Sequence, residues 1–261
     1  MLQLRRLSQA GFVVRAGGTT LVIDAFVSPR ADRLVPPTVT PTDLAGADAI
    51  LATHEHRDHL DPDLESIAAA SPAAAVIVPA PIADAVRVRV PAHRVVAAVV
   101  GEPIAIGATR VFPVPARHGV TMADAYGFGP EPGRHRFLGY VVELGGVRVY
   151  HAGDTIRYDG MAETLRDLHV DVALLPINGR DAEREARGVV GNLDHAEAAD
   201  LAANAGIPAM VPMHHDTIRG NTGSVADVRA YAAARHPALR IVELAPFAET
   251  TWPADPRDPT G

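Results

Sequence analysis

Residues Thr53 to Asp63, THEHRDHLDPD, put three histidines and four acids into eleven positions. Imidazole and carboxylate at that density suit a metal site, with a solvated polar loop as the plain alternative. His54 and His56 are two apart, and in extended backbone such side chains point the same way, so both rings can reach one ion. Asp58 and His59 follow as the chain turns toward a helix, offset toward a second ion. H-x-H-x-D-H therefore suits two ions better than one. Each needs more ligands, because a four-coordinate site with one open position takes three from the protein. His118 in PARHG, Asp154 in HAGDT and His214 in VPMHHD stand at strand ends elsewhere. Taken singly, His118 and His214 read as ordinary histidines and Asp154 as a turn residue. Their joint placement carries the case.

Composition narrows the donors further. The chain has no cysteine, which removes disulfides, thiolate nucleophiles and thiolate ligands together. It has no lysine either, so all 24 basic residues are arginine, and Schiff-base and Walker-type phosphate chemistry fall away. A net charge of -7 weighs against a nucleic-acid partner. At 48% hydrophobic and 21% charged the chain reads as an ordinary soluble globular protein. No apolar run approaches the roughly 20 residues of a membrane span. The N-terminal stretch lacks an apolar block followed by a small-residue cleavage site, so a cytoplasmic location is expected.

The elements that must position these residues are legible as a repeat. GFVVRAGGTTLVIDAF and GYVVELGGVRVYHAGD each read as strand, Gly-Gly turn, strand. ADAILATHEH and VDVALLPING each read as an acid followed by a short apolar strand. A helix follows in both cases, then an apolar run ending in proline, AAAVIVPAP and IPAMVPMHH. This predicts one domain over 1–261, with halves at about 1–130 and 131–245 and an irregular Pro-rich tail over 246–261. Two such halves would pack sheet on sheet with helices outside. Loops leaving equivalent strand ends would then converge on one cleft. Asp61 with Pro62 reads as a helix start just past the histidines. Asp194 with Glu197 reads as a capping box, and Ser224 as a helix cap.

With those residues in place, the sequence resembles the metallo-β-lactamase-fold hydrolases. THEHRDH is similar to their H-x-H-x-D-H signature, and the likeness runs from GFVVRAGGTTLVIDAF to VPMHHD. The resemblance implies an α/β fold, an αββα four-layer sandwich. It implies two divalent ions, one held by His54, His56 and His118 and the other by Asp58, His59 and His214, with Asp154 bridging. His215 is the rival for the last position; the family pattern P-x-H, read from Pro212, favours His214. LLPINGRD, GNLDHAEAADLA and VPMHHD resemble the L-ascorbate-6-phosphate lactonase branch. That branch implies manganese, and the wider family zinc; imidazole and carboxylate suit both.

Two close ions sharing a water bring its pKa toward ~7, and the resulting hydroxide attacks an electrophilic carbonyl or phosphorus. Asp58 and Asp154 are the expected catalytic carboxylates, with Asp58 passing a proton to the leaving oxygen. Asn178 and Arg180 sit on the loop that the repeat matches to the histidine loop, and an arginine fork suits an anionic substrate. His215 and Asp216 are the further substrate-facing candidates. The expected activity is hydrolysis of a small anionic lactone or ester. A phosphodiesterase or nuclease on the same scaffold and a non-catalytic metal-binding protein are the alternatives. The expected partner is a small molecule, not nucleic acid or membrane, and a homo-oligomer is compatible with the sequence.

Overall fold

The computed structural model describes residues 1–118, 128 and 131–252. In chain order the strands are β1 (Leu2–Arg6), β2 (Phe12–Ala16), β3 (Thr19–Ile23), β4 (Ala49–Leu51), β5 (Ala75–Pro79) and β6 (Val95–Ala98). They continue as β7 (Ile104–Ile106), β8 (Thr109–Pro115), β9 (Leu138–Leu144), β10 (Val147–His151), β11 (Val172–Pro176), β12 (Ala209–Met213), β13 (Arg240–Ile241) and β14 (Glu249–Trp252). The helices are α1 (Leu64–Ala70), α2 (Ala83–Arg87), α3 (Met161–Asp167), α4 (Ala182–Ala186), α5 (His195–Asn204) and α6 (Val225–Arg235). The strands form two seven-stranded sheets, ordered β14-β1-β2-β3-β4-β5-β6 and β13-β12-β11-β10-β9-β8-β7. With helices on the outer faces this is the αββα sandwich expected from the repeat.

Alternation along the strands decides which side chains fill which layer. Phe12, Val14, Leu21, Ile23, Ala49, Leu51 and Ile77 face the second sheet and join the main core. Val13, Val22, Ile50, Val76 and Val78 face outward and pack on Leu64, Ile67 and Ala68 of α1 and on Ala83 and Val86 of α2. Strands β11 and β12 are buried along their whole length, as central parallel strands covered on both faces must be. Both Gly-Gly turns have positive φ at both residues, 57° and 84° at Gly17-Gly18 and 60° and 79° at Gly145-Gly146. That is the hairpin geometry in which glycine avoids a steric penalty.

Three sequence expectations shift. Strands β7 and β8 belong to the second sheet, so the halves divide before residue 104 rather than near 130. The tail over 246–261 is not irregular throughout, because Glu249–Trp252 pairs antiparallel with β1; residues 253–261 lie outside the described residues. Asp61 does not cap α1. The helix begins at Leu64 after Asp63, and the Asp61 carboxylate instead accepts the N–H groups of Val27, Ser28 and Asp63 and the Ser28 hydroxyl. Asp194 and Ser224 cap α5 and α6 as read, with the Glu197 capping box complete.

Candidate metal centre

All the candidate ligands leave strand ends of one rim. His54, His56, Asp58 and His59 follow β4. His118 follows β8, Asp154 follows β10 and His214 follows β12. Among the described residues, ligand atoms of His54, His56, His118 and Asp154 lie within 4.8 Å of one another, and those of Asp58, His59 and His214 form a second such group. Asp154 joins them: Oδ1 lies 3.2 Å from His59 Nε2 and 3.3 Å from His214 Nε2, and Oδ2 lies 3.4 Å from His118 Nε2. The stretch from Thr53 to His56 is bent, not extended. The bend still brings His54 Nε2 to 2.9 Å from His56 Nδ1.

The fold grips this loop from the opposite sheet. Tyr140 on β9 donates its hydroxyl to the Ala52 carbonyl at 2.9 Å, and the Leu138 N–H donates to the Thr53 carbonyl at 3.0 Å. Gly153, beside Asp154, has a φ of 60°, and a Cβ there would meet Thr53 at 2.7 Å. Glycine therefore allows the two rims to close. His151 is structural: Nε2 lies 2.7 Å from the Ala10 carbonyl and Nδ1 accepts the Gly153 N–H at 3.1 Å.

A second set of residues orients the rings. Asp24, fully buried at the end of β3, lies 2.7 Å from His59 Nδ1 and accepts the Thr53 N–H and hydroxyl at 2.8 and 2.7 Å. The Thr53 hydroxyl is 3.0 Å from His54 Nδ1. Each contact engages one ring nitrogen and leaves Nε2 facing the centre, the arrangement by which proteins fix metal-binding histidines. The Gln9 amide reaches Asp58 Oδ2 at 3.0 Å. Sequence reading missed all three. Asp24 had a visible signal, an acid ending the apolar run LVID; Thr53 and Gln9 had none.

Burial and charge make the donors fit divalent cations. Burial holds His54 well below the usual histidine range, reinforced by its histidine neighbours, and holds His118 at about 4. Both rings stay neutral, as ligation requires. Burial would also lower His59, but the charges of Asp154 and Asp24 outweigh it and raise the ring well above its usual value. For Asp58 and Asp154, burial alone would raise the carboxyl; the surrounding histidines outweigh it and keep both ionised. His59 Nε2 and Asp154 Oδ1 are buried and 3.2 Å apart, yet neither has an aligned hydrogen-bond partner. Orphaned polar atoms converging on one point are what a shared cation would satisfy.

The centre floors a cavity of about 910 Å³, with His56, Asp58, His118, Asp154 and His214 at its base. Its described walls include Arg30, Arg57, Arg184, Arg187 and Arg219, with Val189, Val190 and Ile218 as apolar patches. The residues expected to face substrate are elsewhere. Arg180 makes a fork with Glu197, 2.6 Å on each arm, and donates to the Asn192 carbonyl. Asp216 pairs with the buried Arg6 at 2.6 and 2.8 Å. His215 is buried off the cavity and held near 4 by burial, with the Arg6 charge adding to it. Asn178 is 4% exposed and binds Asn192 and Asn221, so it supports the wall through Asn221.

Fold and site define a class, and the comparisons agree. The chain belongs to the beta-lactamase superfamily, whose domain model matches residues 19–215. Its curated relatives place it with the UPF0173 metal-dependent hydrolases. The Thermococcus onnurineus protein is 30% identical over 83% of this chain and 86% of its own length. The Methanoculleus marisnigri protein is 30% identical over 94% of each. Among solved structures, a metallo hydrolase from Ignicoccus hospitalis matches with a TM-score of 0.73 at 20% identity, over 95% of this chain and 97% of its own. An isothiocyanate hydrolase from Delia radicum gut bacteria matches with a TM-score of 0.74 at 16% identity, over 96% and 99%. At those identities the structures speak to fold alone. The chain is thus a metal-dependent hydrolase of the metallo-β-lactamase fold. No described helix is long and apolar enough to cross a membrane.

Proposed function

We propose that the chain binds two divalent ions, zinc or manganese, and hydrolyses a small anionic lactone or ester. The observation that carries this reading is the pairing of two ligand groups at the floor of one cavity with arginines on its walls. Bound divalent ions supply Lewis acidity and an activated water. The chain does the rest. Asp24 and Thr53 orient His59 and His54. Gln9 and His214 both engage Asp58 at Oδ2, at 3.0 and 3.4 Å. This leaves Oδ1 as the atom that takes a proton from water and passes it to the leaving oxygen.

Substrate recognition moves from Arg180 to the cavity wall. Arg57 and Arg219 are exposed, and their guanidiniums have no hydrogen bond or ion pair with another described residue. In a chain of net charge -7, exposed guanidiniums above the ligand groups suit a carboxylate or phosphate on the substrate. The apolar patches suit a small carbon skeleton. The test is a panel of lactones, phosphodiesters and thioesters on metal-reconstituted protein, each in an anionic and a neutral form. Fastest turnover of an anionic lactone or ester is expected; a phosphodiester preference would replace this reading with the nuclease alternative.

A further inference from the structure

We propose that Gln9 is a positioning residue for the second ligand group, holding Asp58 through its side-chain amide and His214 through its backbone carbonyl so that this group takes its ion separately from the first. The inference rests on the reading that each group holds an ion. Gln9 lies between β1 and β2, fully buried. Its Nε2 donates to Asp58 Oδ2 at 3.0 Å and lies 3.0 and 3.3 Å from His214 Nε2 and Nδ1. One amide from the first half thus touches a ligand from each half.

The backbone makes the same junction. The His214 N–H donates to the Gln9 carbonyl at 3.0 Å, and the Gln9 N–H donates to Thr217 Oγ1 at 2.8 Å. Gln9 and His214 both have left-handed backbone, with φ of 52° and 58°. Such conformations are costly outside glycine and persist where the surroundings over-determine them. Here each residue holds the other. Gln9 Oε1 is buried with no hydrogen-bond partner, so the amide is oriented by its nitrogen end alone. The side chain therefore serves the ligands and contributes no second hydrogen bond to the fold.

The other ligands have different supports. Thr53 contacts His54 and Asp24 contacts His59, whereas Gln9 is the hydrogen-bond donor to Asp58 from outside the ligand sets among the described residues. Loss of such a partner weakens metal affinity by about 10–100-fold. The first group makes no hydrogen bond to Gln9 in the described residues, so the loss falls on one ion of two.

Gln9→Met keeps the length and bulk of the side chain and removes the amide. Metal-free wild type and variant are titrated with Zn2+ by calorimetry, and their thermal unfolding is followed without metal. The expected result is two ions in wild type. In the variant one ion binds as before, the other binds about 10–100-fold more weakly, and the metal-free melting temperature is unchanged. Gln9→Asn, with its amide on a shorter stem, regains part of the loss. Wild-type affinity for both ions in Gln9→Met overturns the proposal, as does equal weakening of both with a lower melting temperature, which would mark a purely structural residue. A wild type that takes fewer than two ions removes the two-ion reading beneath it, and this inference with it.

Discussion

The loops leaving β4 and β11 occupy equivalent places in the two halves and have opposite characters. The first, THEHRDH, aims four donors into a shared centre and leaves buried atoms such as His59 Nε2 without partners. The second, PINGRD, closes on itself: Asn178 binds Asn192 and Asn221, Arg180 binds Glu197, and Arg184 binds Asp181 and the Asn178 carbonyl. Duplication repeats a backbone position, not a role. The first loop keeps unmet hydrogen-bonding capacity at the candidate centre, and the second, with its polar groups paired, holds the wall beside it. Polar groups paired inside the protein have little left to offer a ligand.

The largest effect should come from the first loop. His54→Ala removes a buried candidate ligand, so metal content and hydrolysis should fall together, by more than the ~10–100-fold typical of losing an orienting partner. His93→Ala, on an exposed residue outside both groups, should change neither. Equal metal content in the two variants would erase the contrast between functional and ordinary histidines.

A smaller effect should separate the arginines. Arg57→Ala and Arg219→Ala should each raise KM for an anionic ester, at about 1.5–3 kcal/mol for a hydrogen bond to a charged group, and leave its neutral analogue nearly unchanged. Arg180→Ala should alter neither KM, because its fork belongs to Glu197. Steady-state kinetics on an ester pair differing by one carboxylate decides this; a KM increase confined to Arg180→Ala would return recognition to the second loop.

The smallest effect concerns stability. Burial alone would raise the Glu197 carboxyl, but Arg180 and the Asp194 N–H outweigh it and hold it below the usual glutamate value. A carboxylate depressed in the folded state contributes stability that is fully present above its unfolded pKa and lost as pH falls through its folded pKa. Glu197→Gln should therefore cost about 0.2–1 kcal/mol near neutral pH, with the difference from wild type closing below the ordinary glutamate range. Denaturant midpoints measured across pH would show it; a gap that widens in acid would mean the sign is reversed.

Much of this was legible in the sequence because the signals were local or periodic. Alternating apolar residues and Gly-Gly turns mark both hairpins, and four of the seven candidate ligands lie within six residues. His118, Asp154 and His214 were legible as strand-end residues once a family resemblance supplied their partners. The supports were not. Gln9 meets His214 across 205 positions and Asp24 meets His59 across 35, and spacing holds no trace of such contacts. Arg180 pairs with Glu197, a partner that the repeat does not reveal, because a repeat locates a Cα and says nothing of which group claims the side chain. Strand β14 was hidden by the prolines just beyond it, although Thr250, Thr251 and Trp252 are good strand formers.

Two candidate ligand groups meet at Asp154 under one cavity. Elemental analysis of metal-saturated, desalted protein tests that most directly. About two zinc or manganese ions per chain is the predicted result; one ion or none would contradict it.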